Sequence, residues 1–147
     1  MIAALLDRLW AGLAPDPGPV SFAHLARRPS GNDALAAPPE AGLGAGADLA
    51  PSILPVPAER LRAILDQVAA SEGATRLPGD ANQPRYRVRS RILRFPDMVD
   101  ARLEARGEGR STLLLYSRSL VGRKDFGVNR ARLRRWLAAI ERGAAEG

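Results

Sequence analysis

Arg85-Tyr-Arg-Val-Arg-Ser-Arg-Ile-Leu93 alternates without a break, with Tyr86, Val88, Ser90 and Ile92 on one side and Arg85, Arg87, Arg89 and Arg91 on the other. Successive side chains of a strand point to opposite faces, so a period of two identifies a half-buried strand. The next stretch, Met98 to Arg106, repeats the pattern: Val99, Ala101, Leu103 and Ala105 share one face, and Asp100, Arg102 and Glu104 the other. With Arg94-Phe-Pro-Asp97 as the hairpin connection, Arg91 is expected opposite Asp100 and Arg87 opposite Glu104. Opposite charges paired across strands contribute from a few tenths to about 1 kcal/mol, which gives the arginine row a structural role. Gly107-Glu-Gly109 then turns the chain into Ser111–Ser119, where Leu113, Leu114, Leu115 and Tyr116 predict the most buried strand.

Helices flank this block. Upstream, Leu61, Ile64, Leu65, Val68 and Ala69 recur at helical spacing behind Pro57, a residue suited to a first helical turn, and Gly73 is the expected end. Thr75 to Asp80 reads as a short edge strand and turn, and Ser52 to Val56 as a short apolar strand. Downstream, Leu133, Trp136, Leu137 and Ile140 predict a helix entered at Asn129, with Trp136 facing the core. The order is strand, helix, four strands, helix. It implies an α+β fold, an antiparallel sheet with helices on one face, and it resembles the helix-grip arrangement, in which a sheet holds a long C-terminal helix and can enclose a ligand.

The chain divides by composition. Residues 1–50 hold three basic and five acidic residues, a net charge of −2, whereas the remainder carries +8 of the overall +6. Ile2, Leu5, Leu6, Leu9, Trp10 and Leu13 predict a short amphipathic helix over 1–13. It is expected to pack on the domain or, alternatively, to lie on a membrane surface. Residues 14–50, rich in Pro, Gly and Ala, read as an arm or linker whose loss leaves a domain at 51–147 folded. Asp7 and Arg8 interrupt the first apolar run, so no clear signal peptide or membrane span is expected; the default location is cytoplasmic, with peripheral membrane or envelope association as the alternative.

Several chemistries are disfavoured by residue content. There is no cysteine and one histidine, His24, so thiolate catalysis, cysteine-ligated zinc and histidine-rich metal sites are excluded, and no cofactor or metal is expected. Gly42-Leu-Gly44-Ala-Gly46-Ala47 matches the spacing of a dinucleotide fingerprint, yet Pro38-Pro39 and Pro51 deny it the strand–turn–helix setting the fingerprint requires. Asp125-Phe-Gly127 spells a kinase tripeptide without the rest of a kinase. Ser90, Ser117 and Ser119 read as hydrogen-bonded strand serines, and no catalytic residue is assigned.

Three blocks in fixed order, Arg89-Ser-Arg-Ile-Leu-Arg-Phe95-Pro-Asp97, Tyr116-Ser-Arg-Ser119 and, after Gly122, Asp125-Phe-Gly-Val-Asn-Arg130, resemble those of the domain-of-unknown-function family 1499, over roughly residues 51–140. Similarity to its bacterial and plastid members implies an envelope or membrane association in some relatives, often through an N-terminal hydrophobic segment.

Those blocks suggest two arrangements. Arg130 at the start of the last helix meets the positive end of the helix dipole and calls for an anion. In the first arrangement Asp97 or Asp125, with Asn129, clasps Arg130 and ties the strand ends to the helix. In the second, Arg118, Arg123, Lys124 and Arg130 form a site for an anion or polar headgroup. The leading functional expectation is a non-catalytic domain that binds a small amphipathic or anionic ligand or an envelope partner. The alternative is binding to an anionic surface or nucleic acid through the basic run from Arg118 to Arg135, nucleic acid being disfavoured because stacking aromatics are few.

Overall fold

The structure, a computed structural model, describes residues 1–42 and 46–146. In chain order the elements are α1 (Ile2–Leu13), β1 (Asp33–Ala36), α2 (Ala58–Ser71), β2 (Thr75–Leu77), β3 (Arg85–Arg89), β4 (Pro96–Ala105), β5 (Ser111–Ser119) and α3 (Val128–Glu146). The five strands form one antiparallel sheet in the order β1-β5-β4-β3-β2. The fold is α+β with strand, helix, four strands, helix in sequence after α1, as the periodicities imply.

The helix-covered face follows from alternation. Tyr86 and Val88, Val99, Ala101 and Leu103, and Leu113 and Leu115 all point to it and are buried. Against them α2 sets Leu61, Ile64, Leu65 and Val68, and α3 sets Leu133, Trp136 and Ile140, in one continuous core. Trp136 is fully buried, its ring edge-on to Tyr86 at 5.7 Å, and its indole N–H donates to Glu72 Oε1 at 3.2 Å. Where α2 and α3 touch, Gly143 leaves no room for a Cβ, which would stand 2.9 Å from Ile64 Cγ2. Among the described residues, side chains of the sheet, α2 and α3 pack together in this core.

Three expectations need correction. The first strand is β1, not Ser52–Val56; the latter run joins the sheet only through a Leu54–Ser111 bridge. Residues 14–50 are not an unpacked arm. Their Phe22, Leu35 and Ala37 are buried with Leu114 and Tyr116 on the face opposite α2 and α3, because β5 is apolar on both faces and needs a second cover. The hairpin register also differs: β4 starts at Pro96, so Arg85, not Arg91, lies opposite Asp100, and Arg87 lies opposite Met98. A turn over 90–95 with Arg94 in the left-handed region (φ 60°) replaces the expected connection.

The second face is charged. Arg85 reaches Asp16 and lies 3.4 Å from Asp100, whose Oδ2 accepts the Val20 N–H. Arg27 pairs with Asp33 and with Asp48 (2.7 Å), and the Tyr116 hydroxyl donates to Asp33 at 2.6 Å. These bonds hold residues 16–28 across the strands.

Candidate functional site

The apolar core ends where β3 turns into β4 and where β5 leaves for α3. Alternation in β4 puts Asp97 on the face of Val99 and Ala101, and alternation in β5 puts Ser117 and Ser119 on the face of Leu115. From the helix side, the stripe of Leu133, Trp136 and Ile140 extends back by one turn to Asn129 and Arg132, both buried. Polar groups of sheet and helix thus meet away from water and must satisfy one another.

They do so through Asn129 and Arg132. The Ser117 hydroxyl donates to Asn129 Oδ1 at 2.6 Å, and Asn129 Nδ2 donates to Ser119 Oγ (2.9 Å), Asp125 Oδ2 (2.7 Å) and the Asn32 carbonyl (3.2 Å). Arg132 Nη1 donates to Ser117 Oγ (3.0 Å) and Asn129 Oδ1 (2.9 Å), while Nη2 lies 2.9 Å from Asp97 Oδ2. Asn32 closes the network by donating to the Gly122 carbonyl at 2.7 Å. Burial pushes the Asp97 carboxyl above its ordinary value; Arg132 and the Ser119 hydroxyl pull the other way. Asp125 accepts the N–H groups of Gly127 (2.8 Å) and Asn129 (3.2 Å), so the carboxylate that caps α3 is Asp125, whereas Asn129 sits inside the helix.

The geometry pairs Asp97 with Arg132, not with Arg130. Asp97, Asp125 and Asn129 are brought together, but Arg132 supplies the charge, and Arg130 is exposed with no ion-pair partner among the described residues. Helical spacing carries the signal: Arg132 falls on the stripe of Asn129, Leu133 and Trp136, and Arg130 falls off it. The expected anion site is divided as well. Arg118 points to the opposite face of the sheet, 3.4 Å from the Gly18 carbonyl, while Arg123, Lys124 and Arg130 are exposed around the β5–α3 loop. Arg132 is consumed internally and Arg135 pairs with Glu72 at 3.0 Å, so the basic run from Arg118 to Arg135 is not one surface.

Above the clasp lies an open groove of about 400 Å³. Its walls are apolar: Phe95 from the β3–β4 turn, Val121 and Phe126 from the β5–α3 loop, and Val128 from the first turn of α3. Its polar lining comes from Asp97, Ser119, Asp125 and Arg132, with Lys124 and Ser90. Phe126 takes a left-handed backbone (φ 54°) and is 94% exposed. Such a conformation is uncommon for a bulky residue and costs on the order of 1 kcal/mol or more, so the loop holds this ring outward at an energetic cost. The apolar wall escaped sequence reasoning because its members are scattered through turns without periodicity. A separate cavity of about 220 Å³ lies on the other face among residues 17–28, Tyr116 and Arg118. It holds His24, which is thus on the far side of the sheet from Ser117 and Ser119. The Gly42–Ala47 fingerprint match falls partly outside the described residues.

Residues 19–140 match the profile of a family described as "Protein of unknown function (DUF1499)". No curated protein matches the chain. The matched span begins well before Pro51 and takes in β1 and, from residue 19 on, the segment that covers the second face of the sheet.

Proposed function

For a chain that belongs to the DUF1499 family, we propose a non-catalytic binding module that takes one small amphipathic molecule in the groove between the β3–β4 turn and the start of α3. The observation that carries this reading is the pairing of apolar walls, Phe95, Val121, Phe126 and Val128, with a polar lining from Asp97, Ser119, Asp125 and Arg132. Binding sites for small molecules have this composition: apolar area supplies affinity, and a few fixed polar groups orient the ligand. The Asp97–Arg132 pair is preorganised by Ser117 and Asn129, which both accept from Arg132 Nη1, so a polar head meets oriented groups without prior rearrangement. A tail lies along Phe126 and Val128. Anionic heads gain an exposed cation from Lys124 at the rim, and heads with donors gain the Asp97 carboxylate.

The reading is tested with dodecyl amphiphiles bearing sulfate, phosphocholine and glucoside heads, followed by native mass spectrometry and thermal shift. A one-to-one complex with at least one head class is expected. Val128→Asp puts a carboxylate in the apolar wall at the first turn of α3, where the dipole favours an anion; melting should be unchanged or slightly raised and binding weakened by about tenfold or more. Binding that survives Val128→Asp and Phe126→Ser undiminished would remove the groove from consideration.

A further inference from the structure

Beyond the groove, the same end of the molecule displays an unusual amount of apolar surface, drawn from three separate segments. No residue of α1 is buried. Its Asp7 and Trp10 face the protein: Asp7 pairs with Arg94 at 2.8 Å, and the Trp10 indole donates to the Leu93 carbonyl at 2.8 Å. Ile2, Leu5, Leu9 and Leu13, spaced three and four apart, then form a stripe on another side of the helix that is 51–73% exposed. The adjoining turn adds Ile92 at 83% and Leu93 at 53%. Phe95 links this turn to both neighbours, packing its ring at a tilt against Trp10 (ring centroids 5.2 Å) and lining the groove with Phe126. Single exposed apolar residues are ordinary, but a run of them from adjoining segments marks an interaction surface.

The charge around that surface identifies the partner. Arg8, Arg91, Arg123, Lys124 and Arg130 are exposed in or beside these segments. The acids of the same region are consumed within the fold: Asp7 by Arg89 and Arg94, Asp97 by Arg132, and Asp125 by the start of α3. What faces outward is therefore apolar and cationic. We infer that this end of the molecule docks on an anionic lipid bilayer, with α1 lying in the plane of the headgroups, its Ile2–Leu13 stripe among the upper acyl chains and the surrounding cations on lipid phosphates. A second copy of the chain would present the same cationic rim, and like charges oppose that pairing. No described helix is long and apolar enough to cross a membrane. The inference rests on Ile2, Leu5, Leu9, Leu13, Ile92 and Leu93, which lie outside the groove, and goes beyond the proposed ligand reading.

Co-sedimentation of the full chain with vesicles tests it, comparing phosphatidylcholine alone with phosphatidylcholine mixed with phosphatidylglycerol. The chain should sediment with the mixed vesicles, release as salt rises, and bind neutral vesicles far less. Leu5→Ser with Leu9→Ser and Ile92→Ser, none of which lines the groove, should weaken binding by about tenfold or more. Amphiphile binding in solution should persist in that variant, so failure here and failure of the groove reading are separable. Ile92→Ser alone, in an exposed turn, supplies the readout if the triple variant melts early. Equal binding to neutral and mixed vesicles, undiminished binding by these variants, or an apolar surface that drives self-association without vesicle binding would each overturn the inference.

Discussion

The two faces of the sheet are covered by opposite means. On one, α2 and α3 bury a continuous apolar core around Trp136 and Tyr86. On the other, irregular residues 16–28 lie across β3, β4 and β5, fastened by a small cluster around Phe22, Leu35 and Tyr116 and by directional bonds from Asp16, Val20 and Arg27. Apolar contact is tolerant of sequence detail but needs area; charged hydrogen bonds need few residues but each must find its partner. The second face is not saturated: Asp100 Oδ1 and Arg118 Nε have no hydrogen-bond partner among the described residues. Strength is thus concentrated on the helix face and specificity of placement on the other.

The sharpest way to break this comparison is to remove one cover entirely. A chain beginning at Asp48 loses β1, Phe22 and Asp16 and uncovers Leu114 and Tyr116; its thermal transition should lose cooperativity, whereas a cooperative melt would show that the helix face suffices by itself. On that face, Trp136→Ala should cost about 3 to 5 kcal/mol in a denaturant titration, as truncation of a buried aromatic does. At the boundary, Arg132→Gln should cost on the order of 3 to 5 kcal/mol by stranding the buried Asp97, while Arg130→Gln, on an exposed side chain, should stay within about 0.5 kcal/mol. Equal effects would return the clasp to Arg130.

Acid titration gives the finest discrimination. The Arg85 guanidinium holds Asp16 below the ordinary carboxylate value of 3.8, and for Asp33 burial is outweighed by hydrogen bonds from Arg27, Tyr116 and the Arg28 N–H, which also lower it. A depressed folded value contributes stability that is present above 3.8 and is lost as pH falls through the folded value. Asp97 runs oppositely: burial raises it, so its contribution is present below 3.8 and is lost as pH rises through its folded value. Asp33→Asn should flatten the acid limb of a stability–pH curve, and Asp97→Asn should remove a decline just above it; the reverse assignment would contradict the geometry.

The difference between the faces also explains what the sequence revealed. Helical and strand periods mark residues that share a face, so α2, β3, β5 and α3 were legible to within a few residues, as was the burial of Trp136. β1 was not, since a four-residue edge strand among Pro and Gly has no room to display a period. The hairpin register was missed because the decisive turn depends on Arg94 at positive φ, which residue type does not announce. Of the residues read as a clasp, Asp97, Asp125 and Asn129 lie in one bonded network, while the helix dipole points to Arg130 and helical phase to Arg132. The apolar groove wall is assembled from turns and left no pattern to read.

The pairing of β1 with β5 sets a schedule for biosynthesis. Asp33 stands opposite Arg118, and Ala36 opposite Leu115. A ribosome adding about 5–20 residues per second needs on the order of 4 to 17 seconds to make the chain between those partners. During that interval Phe22 and Leu35 have no strand to cover, so the nascent segment must stay free of competing strands until its own sheet emerges. Its prolines and glycines, uninformative as a fold signal, suit a segment that has to wait without aggregating.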